Sequence, residues 1–78
     1  MVLVAHIIVD VPLMQTDRPY SYLVPEAMQE QIAIGMRVHV PFGKGNRLLQ
    51  GFVIGFEEQE DLRDFPELKP IAELLDYE

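Results

Sequence analysis

The sequence predicts an all-β fold: a small, partly open β-barrel or sandwich of about five strands, with one short helical turn. Three observations carry this reading. Apolar residues alternate through Met36, Val38, Val40 and Phe42, with Arg37 and His39 between them, which is the period of a strand. Glycine and proline break the chain at short intervals, at Pro19, Pro25, Gly35, Gly43 and Pro70. No segment keeps a helical apolar period over the roughly ten residues that an ordinary helix needs.

The elements follow in order. Val2–Val9 is a β-branched apolar run that suits a strand buried on both faces. Residues 10–17 contain Pro12 and polar side chains and form a connection. Tyr20–Val24 alternates, with Tyr20, Tyr22 and Val24 on one side and Ser21 and Leu23 on the other. Pro19 and Pro25 bracket it, and proline cannot donate to a ladder, so this strand is short and lies at an edge. Pro25 followed by Glu26 fits the start of a single helical turn running to Glu30.

Gly35–Gly55 then reads as a β-hairpin with a cationic tip. Its first strand ends at Phe42. Gly43-Lys44-Gly45-Asn46 makes the turn, with the glycines expected to supply positive φ, and Leu48–Phe56 rises as the second strand. Glu57–Phe65 is acidic and lacks alternation, which predicts a solvated loop. Lys69–Leu75 returns to apolar residues and fits either a short helix or a last strand, with the strand favoured by its length and by Pro70 at its start.

Seventy-eight residues make one small domain. A chain of this length buries only about 60 % of the surface that its unfolded form exposes. It has no cysteine, which excludes a disulfide framework and a thiolate zinc site. No run approaches the roughly 18 apolar residues of a membrane span, and the apolar start lacks the basic region of a signal peptide. The chain stops at Leu-Leu-Asp-Tyr-Glu without a glycine or proline stop, which suggests a piece of a longer protein.

The net charge of −7 is unevenly spread. Residues 1–56 balance four basic side chains, Arg18, Arg37, Lys44 and Arg47, against four acidic ones, whereas residues 57–78 carry nine acids against Arg63 and Lys69. The Debye length is about 8 Å at physiological salt, so a distant acidic segment need not cancel a local basic tip. Three or four cations are still far too few for a non-specific duplex-binding surface, so any contact with nucleic acid is confined to a few points.

No catalytic constellation stands out. His6 and His39 have no third ligand at metal spacing and read as structural histidines. Ser21 lacks the setting of a strained nucleophile turn. Phe42-Gly43-Lys44-Gly45 fails as a phosphate loop, because Gly45-Asn46-Arg47 follows Lys44 and enters a strand, where Ser or Thr at the start of a helix is required. Tyr20 and Tyr22 share a strand face: core is the ordinary role, and a stacking platform for a base is the alternative. Lys69 sits among acids, where a surface salt bridge is the ordinary reading.

Six segments carry a resemblance: Val4-Ala5-His6, Val11-Pro12-Leu13, Tyr20-Ser21-Tyr22-Leu23-Val24-Pro25, Gly35-Met36-Arg37-Val38-His39-Val40-Pro41-Phe42-Gly43-Lys44, Gly51-Phe52-Val53 and Leu68-Lys69-Pro70-Ile71. In order and spacing they resemble the N-terminal domain of PriA-type replication-restart helicases (primosomal protein N′), and the R-V-x-V-P-F-G-K stretch is the most specific part. The resemblance covers essentially the whole chain. It implies a small OB-like barrel that recognises the 3′ end of the nascent leading strand at a stalled replication fork.

The resemblance also implies a pocket for the terminal nucleotide. Its parts fall on Tyr20 and Tyr22 as the aromatics, Gly43 in the turn and Lys69 on the late strand. The family's acidic position falls on Ser21, where this chain lacks the carboxylate. A serine hydroxyl, or the backbone at that position, remains able to bond a ribose 3′-hydroxyl. Arg37, Lys44 and Arg47 are expected to steer the DNA backbone. The helicase core with its ATP and Mg, the zinc-binding region, and contacts with other primosome or single-strand-binding proteins are all expected elsewhere in a longer, cytoplasmic chain. These 78 residues are then expected to have no metal, no cofactor and no enzyme activity of their own. The competing reading is a protein-interaction or structural β-barrel module, with Tyr20 and Tyr22 in its core and the acidic stretch 57–67 docking a partner.

Overall fold

A computed structural model describes residues 2–11, 18–61, 63 and 68–75 of the chain. These form one antiparallel sheet of five strands: β1 Val2–Val9, β2 Tyr20–Leu23, β3 Arg37–Phe42, β4 Arg47–Gln59 and β5 Glu73–Leu74. The spatial order is β2-β1-β4-β3-β5, so β2 lies at an edge, as its two flanking prolines require. A single 3-10 turn at Glu26–Met28 follows Pro25, whose φ of −57° suits a helical entry. No other helical element is present among the described residues.

The hairpin forms where the alternation places it. Phe42 pairs with Arg47 across the four-residue turn, and the Asn46 N–H donates to the Gly43 carbonyl at 3.2 Å. Gly43 has φ +74°, but the second left-handed residue is Asn46 at +50° rather than Gly45. Asparagine tolerates that region better than other side chains, which leaves Gly45 in an ordinary conformation.

The second strand is longer than the sequence suggested. β4 runs to Gln59, because Glu57 and Glu58 pair with Val4 and Leu3 of β1 while their carboxylates stay exposed. Charge predicted a loop there, yet the ladder satisfies the backbone whatever the exposed side chain is. The register shifts between His6 and Ile7 of β1 because β4 carries an extra residue there, a bulge at Ile54. Of the acidic stretch, residues 62 and 64–67 lie outside the described residues, as do residues 12–17 of the expected connection.

The core fills one face of the sheet. Ala5, Ile7 and Val9 of β1, Val38 and Val40 of β3, and Val53 of β4 point into it and are buried with Tyr22, Val24, Ile71 and Leu74. β1 is thus not buried on both faces: Val4 is covered, but His6 and Ile8 are only half-buried on the outer side. No second layer among the described residues closes over that side.

The late segment resolves the choice between helix and strand in favour of a strap. Leu23 N–H donates to the Lys69 carbonyl and Ile71 N–H donates back to Leu23, at 2.9 and 3.0 Å. Three residues later the same segment turns to β3, with Ala72 N–H on the His39 carbonyl and Leu75 N–H on Arg37, both at 2.9 Å. The strap therefore reaches both open edges of the sheet without closing it into a full barrel. Ile71 and Leu74, both buried, pin it to the core, and each such side chain contributes about 1.5–3 kcal/mol on leaving water.

Candidate nucleic-acid interface

A cavity of about 290 Å³ opens where the β2 edge, the hairpin turn and the start of the strap meet. Tyr20, Ser21 and Tyr22 line it from β2, Pro41, Phe42 and Gly43 from the end of β3, and Leu68 and Lys69 from the strap. Five residues expected in one pocket, Tyr20, Ser21, Tyr22, Gly43 and Lys69, thus face the same cavity. Their sequence separations are large, and the antiparallel pairing of β2 with β1 and of β3 with β4 brings them together.

The two tyrosines do different things. Tyr22 is 5 % exposed, and its hydroxyl donates to the Pro41 carbonyl at 2.9 Å. Burial, with the neighbouring Tyr20 hydroxyl as a lesser cause, raises the Tyr22 pKa above the ordinary 10.0. Tyr22 is a floor and strut, which agrees with core as its ordinary role. Tyr20 is half-buried and stands edge-on to Phe42, with ring centroids 5.1 Å apart and planes at 88°. That T-shaped contact holds the Tyr20 ring in place at the cavity wall.

Gly43 and Lys69 are joined. The Lys69 ammonium donates to the Gly43 carbonyl at 2.8 Å, and the same oxygen accepts from Asn46 N–H, which uses both of its lone pairs. Among the described residues the partner of Lys69 is this carbonyl rather than a carboxylate. A Cβ on Gly43 would meet no atom within 4 Å, so the turn presents bare backbone to open space. Among the described residues nothing else takes the other two ammonium hydrogens.

Ser21 contributes on two fronts. Val24 N–H points to Leu3 of β1, while the N–H and C=O of Leu23 point the other way, to the strap. Strand alternation turns the Ser21 backbone in the same direction as that of Leu23. Among the described residues no backbone bond from the strap to Ser21 occurs, and Ser21 lines the cavity. The Ser21 hydroxyl lies on the outer face of the sheet, 3.4 Å from His6 Nδ1.

The three steering cations are not equivalent. Lys44 and Arg47 are exposed at the turn, next to the cavity. Arg37 heads β3 opposite Phe52, about 17 Å along the strand from Phe42 at the usual rise, and is engaged within the protein. It does not join the site. Phe42 was missed as a wall residue, although its alternation with Val40 and its place before Gly43 already put it beside the turn. His39 is held by Glu73 at 2.8 Å on the strap, a structural role. No group of three or more His, Asp or Glu side chains suited to a metal ion occurs among the described residues. None of their helices is long and apolar enough to cross a membrane.

A family model described as the 3′DNA-binding domain (3′BD) of PriA matches residues 6–78. The replication restart protein PriA of Bacillus subtilis (strain 168) is 43 % identical over 72 residues, which cover 92 % of this chain and 9 % of that relative.

Proposed function

Because the chain belongs to the 3′DNA-binding domain (3′BD) family of PriA, we propose that it holds the 3′-terminal nucleotide of a DNA strand in the cavity between Tyr20 and Lys69. The observation that carries this reading is the meeting of an aromatic wall, a bare glycine turn, an ammonium and an open strand edge in about 290 Å³. That volume is at the small end of ligand sites and suits one nucleotide rather than a run of them.

Each part has a task. The Tyr20 ring, fixed by Phe42, stacks on the terminal base, an interaction worth about 1–3 kcal/mol that tolerates any base. The Ser21 amide and carbonyl offer one donor and one acceptor to the base or sugar. Gly43 lets the sugar approach the turn, and Lys69 bonds a phosphate or hydroxyl oxygen with its remaining hydrogens. Lys44 and Arg47 attract the phosphates upstream of the end. A pocket that takes one terminal nucleotide reads an end, and it does so without reading a sequence.

For the longer protein we propose the role of a replication-restart helicase that meets nascent 3′ ends at stalled forks. The chain would then form its N-terminal domain. ATP, Mg, Zn, further primosome partners and a cytoplasmic setting belong to that proposal and lie outside residues 1–78.

Fluorescence anisotropy tests the reading, with labelled oligonucleotides ending in a 3′-hydroxyl or a 3′-phosphate. Tighter binding to the free hydroxyl, lost in folded Tyr20→Ala and Gly43→Leu variants, is the expected result. Equal binding to both ends refutes end recognition. A second reading, a protein-interaction module, draws on Leu48, Phe52 and Ile54, which stand exposed along the outer face of β4. It gains if neither oligonucleotide binds.

A further inference from the structure

One end of the outer sheet face is apolar. Phe52 of β4 pairs with Ile8 of β1 on one side and with Arg37 of β3 on the other. Ile54, the bulge residue, lies two positions further on. Ile34 stands at the same end, because the Gly35 N–H donates to the Val53 carbonyl at 2.8 Å. Ile34, Phe52 and Ile54 are 67 %, 46 % and 42 % exposed. Single exposed apolar side chains are ordinary, but three gathered at one end of a sheet make a patch.

Beside Phe52 the surface is concave. A cavity of about 300 Å³ lies among Ile8, Val11, Gly51 and Phe52, and the exposed Asp10 and Gln50 also line it. It shares no lining residue with the cavity between Tyr20 and Lys69. Its size is at the small end of ligand sites, and its apolar wall runs on through Phe52 to Ile54. That shape suits a neighbouring polypeptide that lays an apolar face on the sheet and seats one large side chain in the hollow.

Two observations choose the occupant. The PriA relative is matched over only 9 % of its length, so a protein of that kind carries far more chain than this domain. Leu75, the last described residue, donates its N–H to the Arg37 carbonyl at 2.9 Å, and Arg37 pairs with Phe52. The chain therefore leaves the sheet two strand spacings from Phe52, about 10 Å. A second copy fits less well. At about 200 Å² per large side chain, the exposed parts of Ile34, Phe52 and Ile54 amount to roughly 300 Å², whereas a stable dimer buries about 800 Å² on each partner. A tethered segment needs less surface, because its effective concentration is in the millimolar range.

We propose that the outer face around Phe52 is a docking surface for the segment that follows residue 78 in the longer protein. That segment folds back over Phe52 and Ile54 and seats an apolar side chain between Ile8 and Val11. The docking rests on the reading, given above, that residues 1–78 form one domain of a longer chain. It leaves the cavity between Tyr20 and Lys69 free, since the two cavities have no lining residue in common.

The test uses the full-length protein, with a photoreactive benzoylphenylalanine at position 52 and, as a control, at position 44 on the hairpin turn. Irradiation is expected to cross-link position 52, at monomer mass, to a peptide beyond residue 78 that position 44 does not reach. Phe52→Gln is expected to speed proteolysis of that segment about tenfold, the effect of one large apolar side chain lost from a contact. The same change should leave affinity for a 3′-hydroxyl oligonucleotide unaltered. Benzoylphenylalanine keeps the aromatic ring, so the cross-link does not depend on how Phe52→Gln folds.

Cross-links to a second copy at dimer mass, cross-links from both positions alike, no cross-link, or an unchanged rate of proteolysis each overturn the docking and leave the terminal-nucleotide reading intact. A gene product that ends at residue 78 overturns the longer-protein reading, and the docking with it.

Discussion

Lys69 and Gly43, 26 residues apart, are joined by a 2.8 Å bond from the ammonium to the carbonyl oxygen. It ties the strap to the tip of the hairpin and places the charge of Lys69 at the cavity mouth. The bond is exposed, so its net contribution to stability is about 1 kcal/mol or less. Lys69→Met should therefore shift a urea melt only slightly while lowering affinity for a 3′-hydroxyl oligonucleotide about tenfold. A melt weakened by several kcal/mol would instead make Lys69 a structural strut.

Tyr22 predicts an alkaline limit to stability. Its pKa is raised in the fold, chiefly by burial and then by Tyr20. The unfolded chain releases that proton first, near the ordinary 10.0. The contribution is thus fully present below about pH 10 and is lost as pH rises through the higher folded value. Stability should be flat from pH 7 to 9 and fall above 10. Tyr22→Phe should flatten that fall while costing about 1 kcal/mol at pH 7, because the Pro41 carbonyl loses its donor. Chemical denaturation at pH 7, 9 and 10.5 measures both.

The strands were legible where burial governs them and obscure where it does not. Val38 and Val40 are buried and fall on one side of β3, so their alternation predicts the strand directly. Residues 57–59 fail that logic, since their side chains are largely exposed and only the ladder with β1 makes them a strand. The strap has just two residues in β5 and owes its course to bonds with Leu23, His39 and Arg37, which no local pattern encodes. The pocket residues were named through resemblance to a family, whereas the contacts of His6 with Ser21 and Glu57 were invisible, because the three meet only through two strand registers.

Salt dependence separates the cations. Lys44 and Arg47 flank the cavity and Arg37 does not. If Lys44 and Arg47 each neutralise one phosphate, Lys44→Gln and Arg47→Gln should each reduce the slope of log affinity against log salt by about 0.7 for a single strand. Arg37→Gln should leave the slope unchanged. Titration from 50 to 300 mM KCl reads this, and a slope lowered equally by all three changes would extend the DNA path along β3.

Gly51 packs where no side chain fits. A Cβ there would lie 2.7 Å from Ile7 Cγ2 and 2.7 Å from the Ile8 carbonyl oxygen, and the second contact is backbone that cannot rotate away. Gly51→Ala should therefore force β1 and β4 apart and destabilise by about 1–3 kcal/mol. The measurement is a urea midpoint, and an unchanged midpoint would mean that the β1–β4 spacing adjusts freely.

The two glycines of the turn predict opposite signs. Gly43 has φ +74°, a conformation that costs an alanine about 1–2 kcal/mol, although a Cβ would touch nothing within 4 Å. Gly45 is equally open but has no positive φ, since Asn46 takes the second left-handed position. Gly45→Ala should then stabilise by about 0.4–1 kcal/mol, by narrowing the unfolded ensemble, while Gly43→Ala destabilises. Binding should separate them as well, because only Gly43 lines the cavity: Gly43→Ala should weaken the 3′-hydroxyl oligonucleotide and Gly45→Ala should leave it alone. Equal binding losses would point to the turn as a whole, rather than the bare backbone at Gly43, as the surface that the strand end meets.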